Sequence, residues 1–599
     1  MSAEAPTQLM QTVRGEFAKL ANFHSEVLII GGGINGISTM RDLSLQGVKV
    51  TLIDAGDVIS GASAASSHMI HGGIRYLENG EFRLVRESVQ ERNDLLKTAP
   101  HVVKPLRTTV PIFSLTSGVL QAPLKFLRHG KSGKAKRAER GALLIGIGLM
   151  IYESFSRVNG VMPRFNFVGA KQAAKDLPSL HPDVKFVATY YDASVHEPER
   201  LALDLIADAL ATGNARVVTY VAAVGAQNGA VLIRDALTGT IVKTTADVVV
   251  NASGPLTDLT NEALGRDTKF MGGTKGSHIV VDHPQLYAEL DGRELFFENS
   301  DSRIVLIYPV KGRVLIGTTD IFADPRQPVR CTEEEVDYFF SLVGHILPGI
   351  KLDRSQIVFR FSGIRPLPKQ DVSQPGFVSR DYRIDQDILP DSSDVPFFSV
   401  VGGKWTTFRA LGEHVSGLVL EALGKTRKIS TLGLQIGGGK NFAASGKKRD
   451  KLVASLMAAS AGNPSGDPAA NLSGDPARIL SQARVETLLT RYGTRALEVI
   501  RFLNLNGDEA LSSLPSYSAQ EIQWLATAEF AVHLDDFLLR RTTLAFAGLL
   551  TADNVDEIAA AAAVALGWGA EQTAAEVDRT WQILADRHGV EKHAGKVTA

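Results

Sequence analysis

The sequence predicts an α/β chain that closes in an all-helical domain, and three observations predict it. A strand, a glycine turn, a helix and a second strand follow one another in residues 25–57. The middle of the chain alternates short β-branched runs with turn residues. From Ala477 onward, helical spacing replaces those runs.

In "SEVLIIGGGINGISTMRDLSLQGVKVTLIDAGD" the apolar run Val27 to Ile30 reads as a strand, and a second strand ends at Asp54. Gly31, Gly33 and Gly36 fit G-x-G-x-x-G. The first two let the backbone turn tightly and approach a pyrophosphate, and the third lets helix and strand pack. An anion at the helix N-terminus meets unpaired N–H groups and the positive end of the helix dipole. Asp54 stands about 20 residues beyond the glycines, where a carboxylate accepts from ribose hydroxyls. Strand, turn, helix and acid in this order predict a Rossmann-like dinucleotide-binding unit.

Further along, an apolar strand over Val248 to Val250 ends in Asn-Ala-Ser-Gly-Pro and is expected to return backbone to the nucleotide. "PFFSVVGGKWTTFRALGEHVSGLVLEAL" passes from a strand through Gly402-Gly403 into a helix, with Thr406 and Thr407 near its start. The chain thus leaves and re-enters its nucleotide domain. Residues 437–476, rich in Gly, Ser, Ala and Lys and carrying "SGDPA" twice, are expected as a linker. Residues 1–24 read as an N-terminal extension and 477–599 as a helical domain.

The 599 residues hold 64 Lys plus Arg against 65 Asp plus Glu, so no overall field argues for a nucleic-acid partner. The single cysteine, Cys331, cannot form an internal disulfide and fits a reducing cytoplasm. The N-terminus lacks the apolar core and small-residue site of a secretory signal. The apolar run Gly141 to Tyr152 falls short of the roughly 20 residues that a spanning helix requires. It follows a basic stretch from Lys125 to Arg140. Such a pairing can attach a chain to an anionic membrane surface, and it equally describes a solvated loop before a core helix. The histidines are scattered, with His68 and His71 lacking a nearby carboxylate pair, so no metal is expected. Neither a G-x-S-x-G elbow nor a P-loop lysine is present.

Cationic and hydrogen-bonding residues recur in glycine-flanked segments: Arg75 and Tyr76 in "HGGIRY", His278 in "KGSH", Arg365 in "SGIRPL", Arg380 in "SRDY" and Lys404 in "GGKWTTFR". Arginine forks grip phosphate bidentately. If the segments converge they form an anion pocket, in which each charged hydrogen bond contributes roughly 1.5–3 kcal/mol.

"IIGGGINGIS", "ASSHMIHGGIRYLENGEFRLVRESVQER", "KGSHIVV", "LIGTTD", "FSGIRPL", "SRDYRI" and "VVGGKWTTFRALGEHV" together resemble the FAD-dependent, membrane-associated glycerol-3-phosphate dehydrogenases. These belong to the wider D-amino-acid-oxidase-like flavoprotein group. "LLRRTTLAFAGLLT" (Leu538 to Thr551) is similar to the family's C-terminal helical domain. The resemblance implies an oxidoreductase region over 25–436. Its FAD-binding domain is discontinuous (about 25–110, 185–265 and 355–436) and interleaved with an α+β antiparallel-sheet substrate domain. It implies a cytoplasmic enzyme at the inner-membrane surface, whose oligomeric state, homodimer included, is left open. The implied reaction is ping-pong: a hydride passes from the carbinol carbon of sn-glycerol 3-phosphate to flavin N5, and a quinone reoxidises the flavin.

The resemblance also suggests roles. Gly31, Gly33, Asn35, Gly36 and Asp54 would hold the ADP half of FAD, with Val221 near the adenine. Ser63, Ser66 and Ser67 would lie along the pyrophosphate and flavin, and Gly403, Lys404 and Thr406 near the flavin ring. Arg75, Tyr76, Arg380 and Lys404 would bind substrate. His278 and Arg365 would stand nearer the reacting hydroxyl, with His278 the better general base because imidazole titrates near neutral pH. Three segments depart from the family pattern: His68 stands where lysine is usual, "ASVHEPERL" replaces a Val-Asp-Asp-Ala-Arg-like segment, and "NASGPL" lacks a tryptophan. These departures keep a longer polyol phosphate such as erythritol phosphate open as substrate. An oxygen-using oxidase and a catalytically silent flavin-binding protein stay open beside it.

Overall fold

The computed structural model describes residues 16–73, 82–114, 162–298, 304–369, 381–461 and 480–592. Among them the strands form two sheets. The first grows around His24–Ile30, which pairs in parallel with Val50–Ile53 on one side and Ile241–Asn251 on the other. Ala215–Val218 and Pro396–Val401 extend the parallel order outward. A parallel strand covered on both faces is apolar on both, and Val27 to Ile30 are all buried. Val27 and Ile29 face helices Ile34–Leu45, Pro198–Leu210 and Phe408–Ala422. Leu28 and Ile30 face the hairpin Val221–Gln227 and Ala230–Asp235.

The second sheet is antiparallel except for one parallel pair, Arg293–Glu298 with Val103–Ile112. Strand Thr274–Val281 lies between Arg313–Gly317 and Ile357–Arg365. Alternation along it divides two cores. Ile279 and Val281 pack with Phe339 and Val343 of helix Glu333–Ile346. Val280 packs with Phe361 and the C-terminal helices. His278, two residues before Val280, therefore stands on the face turned toward the C-terminal domain.

That domain is helical, as expected. Gln482–Tyr492, Ala496–Asn506, Ala519–Ala528, Ala552–Leu566 and Ala570–His588 share one core. Ser481, Ser518 and Thr551 accept first-turn N–H groups at three of the N-termini.

The linker expected over 437–476 is corrected in part. Helix Gly446–Ser460 lies within it, and its Val453 and Leu456, one turn apart, are buried in the C-terminal core. Composition misleads here because Lys447, Lys448 and Lys451 fall on the solvent side of a helix that is anchored by few apolar residues. Residues 462–476 lie outside the described residues, as do the basic stretch Lys125 to Arg140 and the apolar run after it. Among the described residues no helix is long and apolar enough to cross a membrane.

Candidate active site

The glycine turn forms a cradle at the head of helix Ile34–Leu45. Gly31 has φ +115°, a conformation that favours glycine, and a Cβ there would lie 2.6 Å from the Ala252 carbonyl oxygen. A Cβ on Gly36 would overlap the Gly31 carbonyl oxygen. Gly33 is the helix N-cap, and the Ile34 N–H donates to Ser63 Oγ at 3.1 Å. Asp54 closes the second strand with both carboxylate oxygens engaged, accepting from Gly32 N–H at 2.6 Å and Gly56 N–H at 2.8 Å. Burial pushes its carboxyl up to about 6 against the pull of those two donors. Val221 N–H donates to the Asp54 carbonyl at 2.7 Å, which places the start of the hairpin against the same acid. Asn35 Nδ2 donates to the Gly402 carbonyl at 3.3 Å, while Asn35 Oδ1 is buried without a partner among the described residues.

The Gly402–Thr407 turn then fixes the segment that follows the cradle. Trp405 Nε1 donates to the Ser63 carbonyl at 3.0 Å, and Thr406 Oγ1 donates to the His71 carbonyl at 3.2 Å. Across the segment, Tyr308 hydroxyl donates to the Ser67 carbonyl at 3.2 Å, and Gly72 N–H donates to Asp192 at 2.8 Å. Ser66 Oγ accepts from the His68 N–H at 3.3 Å.

His278 meets this segment from the second sheet, with Arg365 on the strand beside it. His278 Nε2 lies 2.8 Å from Ser67 Oγ, and its ring stacks on Phe361 at 4.7 Å and 10°. The pairing leaves it room only because Gly317 stands opposite, where a Cβ would collide with the imidazole. Arg365 is fixed by Asp320 at 3.0 Å, Thr318 Oγ1 at 2.8 Å and the Thr319 carbonyl at 2.9 Å. Its guanidinium passes over Gly276, on the same strand face as His278. Burial first, then the positive Arg365 and the neighbouring His68, hold the His278 imidazole well below its ordinary range. It is therefore neutral at physiological pH.

The structure thus brings together Gly31, Gly33, Asn35, Gly36, Asp54, Ser63, Val221, Gly403 and Thr406 around the cradle, and Ser66, Ser67, His278 and Arg365 beside it. Lys404 is tied elsewhere as well: its Nζ donates to Ser88 Oγ of helix Phe82–Thr98 at 3.0 Å. Arg75, Tyr76 and Arg380 lie outside the described residues. Sequence reasoning missed Asp192, Tyr308 and Trp405 as residues that hold the loop. Asp192 carried a usable signal, a carboxylate inside the apolar strand Phe186–Val195; it is buried and paired with the buried Arg92 at 2.7 Å.

Comparison with known proteins extends this geometry. A family described as FAD dependent oxidoreductase matches residues 26–390. One described as the C-terminal domain of alpha-glycerophosphate oxidase matches residues 429–573. A glycerol-3-phosphate dehydrogenase of Synechocystis is 32% identical over 554 residues, 88% of this chain and 90% of its own length. The chain belongs to the FAD-dependent glycerol-3-phosphate dehydrogenase family. To this family member a D-erythritol 1-phosphate dehydrogenase of Brucella abortus is also similar, 30% identical over 86% of this chain and 94% of its own. The solved glycerol-3-phosphate dehydrogenase of Bacillus halodurans, complexed with FAD, has a TM-score of 0.69 at 22% identity, covering 96% of this chain and 97% of that one. At that identity it attests the fold.

As a member of this family the oxidoreductase takes FAD. The residues present fit it: glycines at 31 and 36, where Cβ atoms would strike the Ala252 and Gly31 backbones, so that the turn closes tightly at the helix N-terminus, the orphaned Asn35 Oδ1 beside it, and a carboxylate at the strand end. The C-terminal match begins at residue 429, so helix Gly446–Ser460 falls within that domain of the family.

Proposed function

We propose that this chain oxidises sn-glycerol 3-phosphate to dihydroxyacetone phosphate and passes the electrons to a quinone. The observation that carries the reading is the His278 Nε2 contact with Ser67 Oγ at 2.8 Å, beside a fixed Arg365 and directly after the dinucleotide cradle. FAD, when bound, supplies the hydride acceptor.

The remaining work falls to the side chains. His278 accepts the proton of the reacting hydroxyl at Nε2, where Ser67 Oγ holds the ring until substrate arrives. In the tautomer that carries its proton on Nδ1, the neutral imidazole presents the Nε2 lone pair, and burial holds the ring neutral instead of letting it titrate near neutral pH as the sequence suggested. Arg365 remains charged, and its Asp320 and Thr318 contacts fix the direction in which it stabilises the developing alkoxide. Arg75, Tyr76, Arg380 and Lys404 are proposed to hold the phosphate, and Lys125 to Arg140 to rest on the membrane surface.

A second reading, a four-carbon polyol phosphate as substrate, is favoured by the 30% identical relative named for D-erythritol 1-phosphate. Anaerobic titration decides between them. We expect sn-glycerol 3-phosphate to bleach the flavin, and a soluble quinone to restore it without stoichiometric peroxide. Faster bleaching by D-erythritol 1-phosphate would move the reading to the longer substrate. No bleaching with either would overturn it.

A further inference from the structure

The C-terminal domain packs on the catalytic face of the second sheet, where His588 stacks on Phe359 and Phe546 reaches the two histidines' neighbourhood. Phe546 lies between helices Phe537–Arg541 and Ala552–Leu566. Its ring stacks on His68 at 5.3 Å and 22° and approaches Phe361 at 6.3 Å. Phe361 is the ring on which His278 stacks. The imidazoles of His68 and His278 thus share one aromatic layer that the C-terminal domain completes.

His68 requires an outside hold. Its φ is +56°, a backbone conformation unusual for a residue with a side chain. Val195 N–H donates to its carbonyl at 2.8 Å, and its ring, which also meets the His196 backbone, stacks on Phe546. The next residue back is Ser67, whose hydroxyl meets His278. Any turn of His68 is transmitted through one peptide unit to that contact. Phe546 is itself anchored: the following Ala547 carbonyl accepts from Arg313 Nε at 2.9 Å, and Gly548 closes on Val358.

His68 and His278 are buried, and the Nδ1 of each has no partner among the described residues. The charged or titratable groups that face His278 are Arg365, with its Asp320, and His68. Behind His68 stand His196 and Lys311, the latter paired with Glu197. This also explains where two departures from the family pattern go: His68 and the His196-Glu197 segment meet at one place.

We propose that Phe546 is a positioning residue for the His278–Ser67 pair: it fixes His68 and seals the pair from water, so that docking of the C-terminal domain sets the rate of proton removal from substrate. The inference rests on His278 as the base. Phe546→Ala admits water beside the layer and lets His278 drift. The rate of flavin reduction then falls about 10- to 100-fold with KM changed far less, as for a displaced reacting group.

The pH profile separates positioning from simple loss of stability. In the native protein His278 stays neutral well below pH 6.5, so the reductive rate holds as pH falls. Hydration in Phe546→Ala stabilises the imidazolium, raises the pKa toward its ordinary value, and makes the rate fall as pH drops below about 6.5. Phe546→Leu, which keeps an apolar plug, should restore much of the native profile.

A readout independent of turnover is deuterium exchange at the imidazole C2 positions, followed by mass spectrometry. We expect His68 and His278 to exchange slowly in the native holoenzyme and quickly in Phe546→Ala. An unchanged acid limb together with unchanged exchange in Phe546→Ala would overturn the proposal. If that variant does not fold, Phe546→Val, a smaller plug, is read in its place: a raised acid limb and faster exchange are expected, and neither change appearing overturns the proposal. His278→Asn tests the underlying reading separately: retained flavin reduction there removes the base assignment, whatever the exchange at His68 shows.

Discussion

Asp57 lies three residues beyond Asp54 and joins the cradle to the C-terminal domain. Its carboxylate accepts from Arg541 Nη1 at 2.7 Å and Nη2 at 2.8 Å, and from Arg540 Nε at 2.5 Å. All three side chains are buried. Asp57→Asn keeps the shape and removes the charge. Arg540 retains Asp535 and Asp536, whereas Arg541 retains the Glu529 carbonyl oxygen. Removing one partner of a buried pair costs about 3–5 kcal/mol, chiefly because a desolvated charge is left behind. The partners that Arg540 keeps place the expectation near the lower end, at about 3 kcal/mol. That is roughly a hundredfold in the unfolding equilibrium.

Urea unfolding followed by tryptophan emission and by release of FAD measures it. A double-mutant cycle with Arg541→Gln should show strong coupling, because the second substitution removes the charge that the first one stranded. A loss under about 1 kcal/mol in Asp57→Asn, or a double variant whose loss equals the sum of the single ones, would refute the reasoning. FAD retention should weaken in parallel, since Asp54 and Asp57 share one loop.

Other consequences follow from the same contacts. Gly36→Ala should purify without flavin absorbance, because its Cβ would overlap the Gly31 carbonyl oxygen and push the helix away from the strand; a normally loaded protein would contradict the cradle. Asp54 is proposed to accept from the FAD ribose, and its carboxyl titrates at about 6. FAD affinity should therefore be level above that pH and fall as pH drops through it, by up to about tenfold per unit. Asp54→Asn should flatten this dependence, as measured by equilibrium dialysis. Arg365→Ala should retain FAD and lose about 10²–10³-fold in flavin reduction by substrate; normal stopped-flow kinetics would remove Arg365 from the site.

The legibility of the site varied with the separation of its parts. Gly31, Gly36 and Asp54 could be read because the contacts that matter, Gly36 against Gly31 and Asp54 against Gly32, close within one βαβ unit. His278 and Arg365 were legible as residue types, but their approach depends on strand register, Thr274 opposite Arg365 and His278 opposite Phe361. Lys404 was assigned from its glycine-flanked motif, and its contact with Ser88, 316 positions away, could not be read from that motif. Helix Gly446–Ser460 was hidden because few of its residues are apolar, and its burial depends on partners beyond residue 480.

By itself the sequence determined the α/β class, the dinucleotide turn, the helical C-terminus and the family with its FAD, since each is written in local spacing or in motifs that survive without coordinates. Only the tertiary structure decided that the two domains are locked through Asp57 and Arg541, and that Phe546 completes the layer around His68 and His278. Those contacts join residues hundreds of positions apart. Their strength comes from burial, a property that no stretch of sequence possesses until the rest of the chain has folded over it.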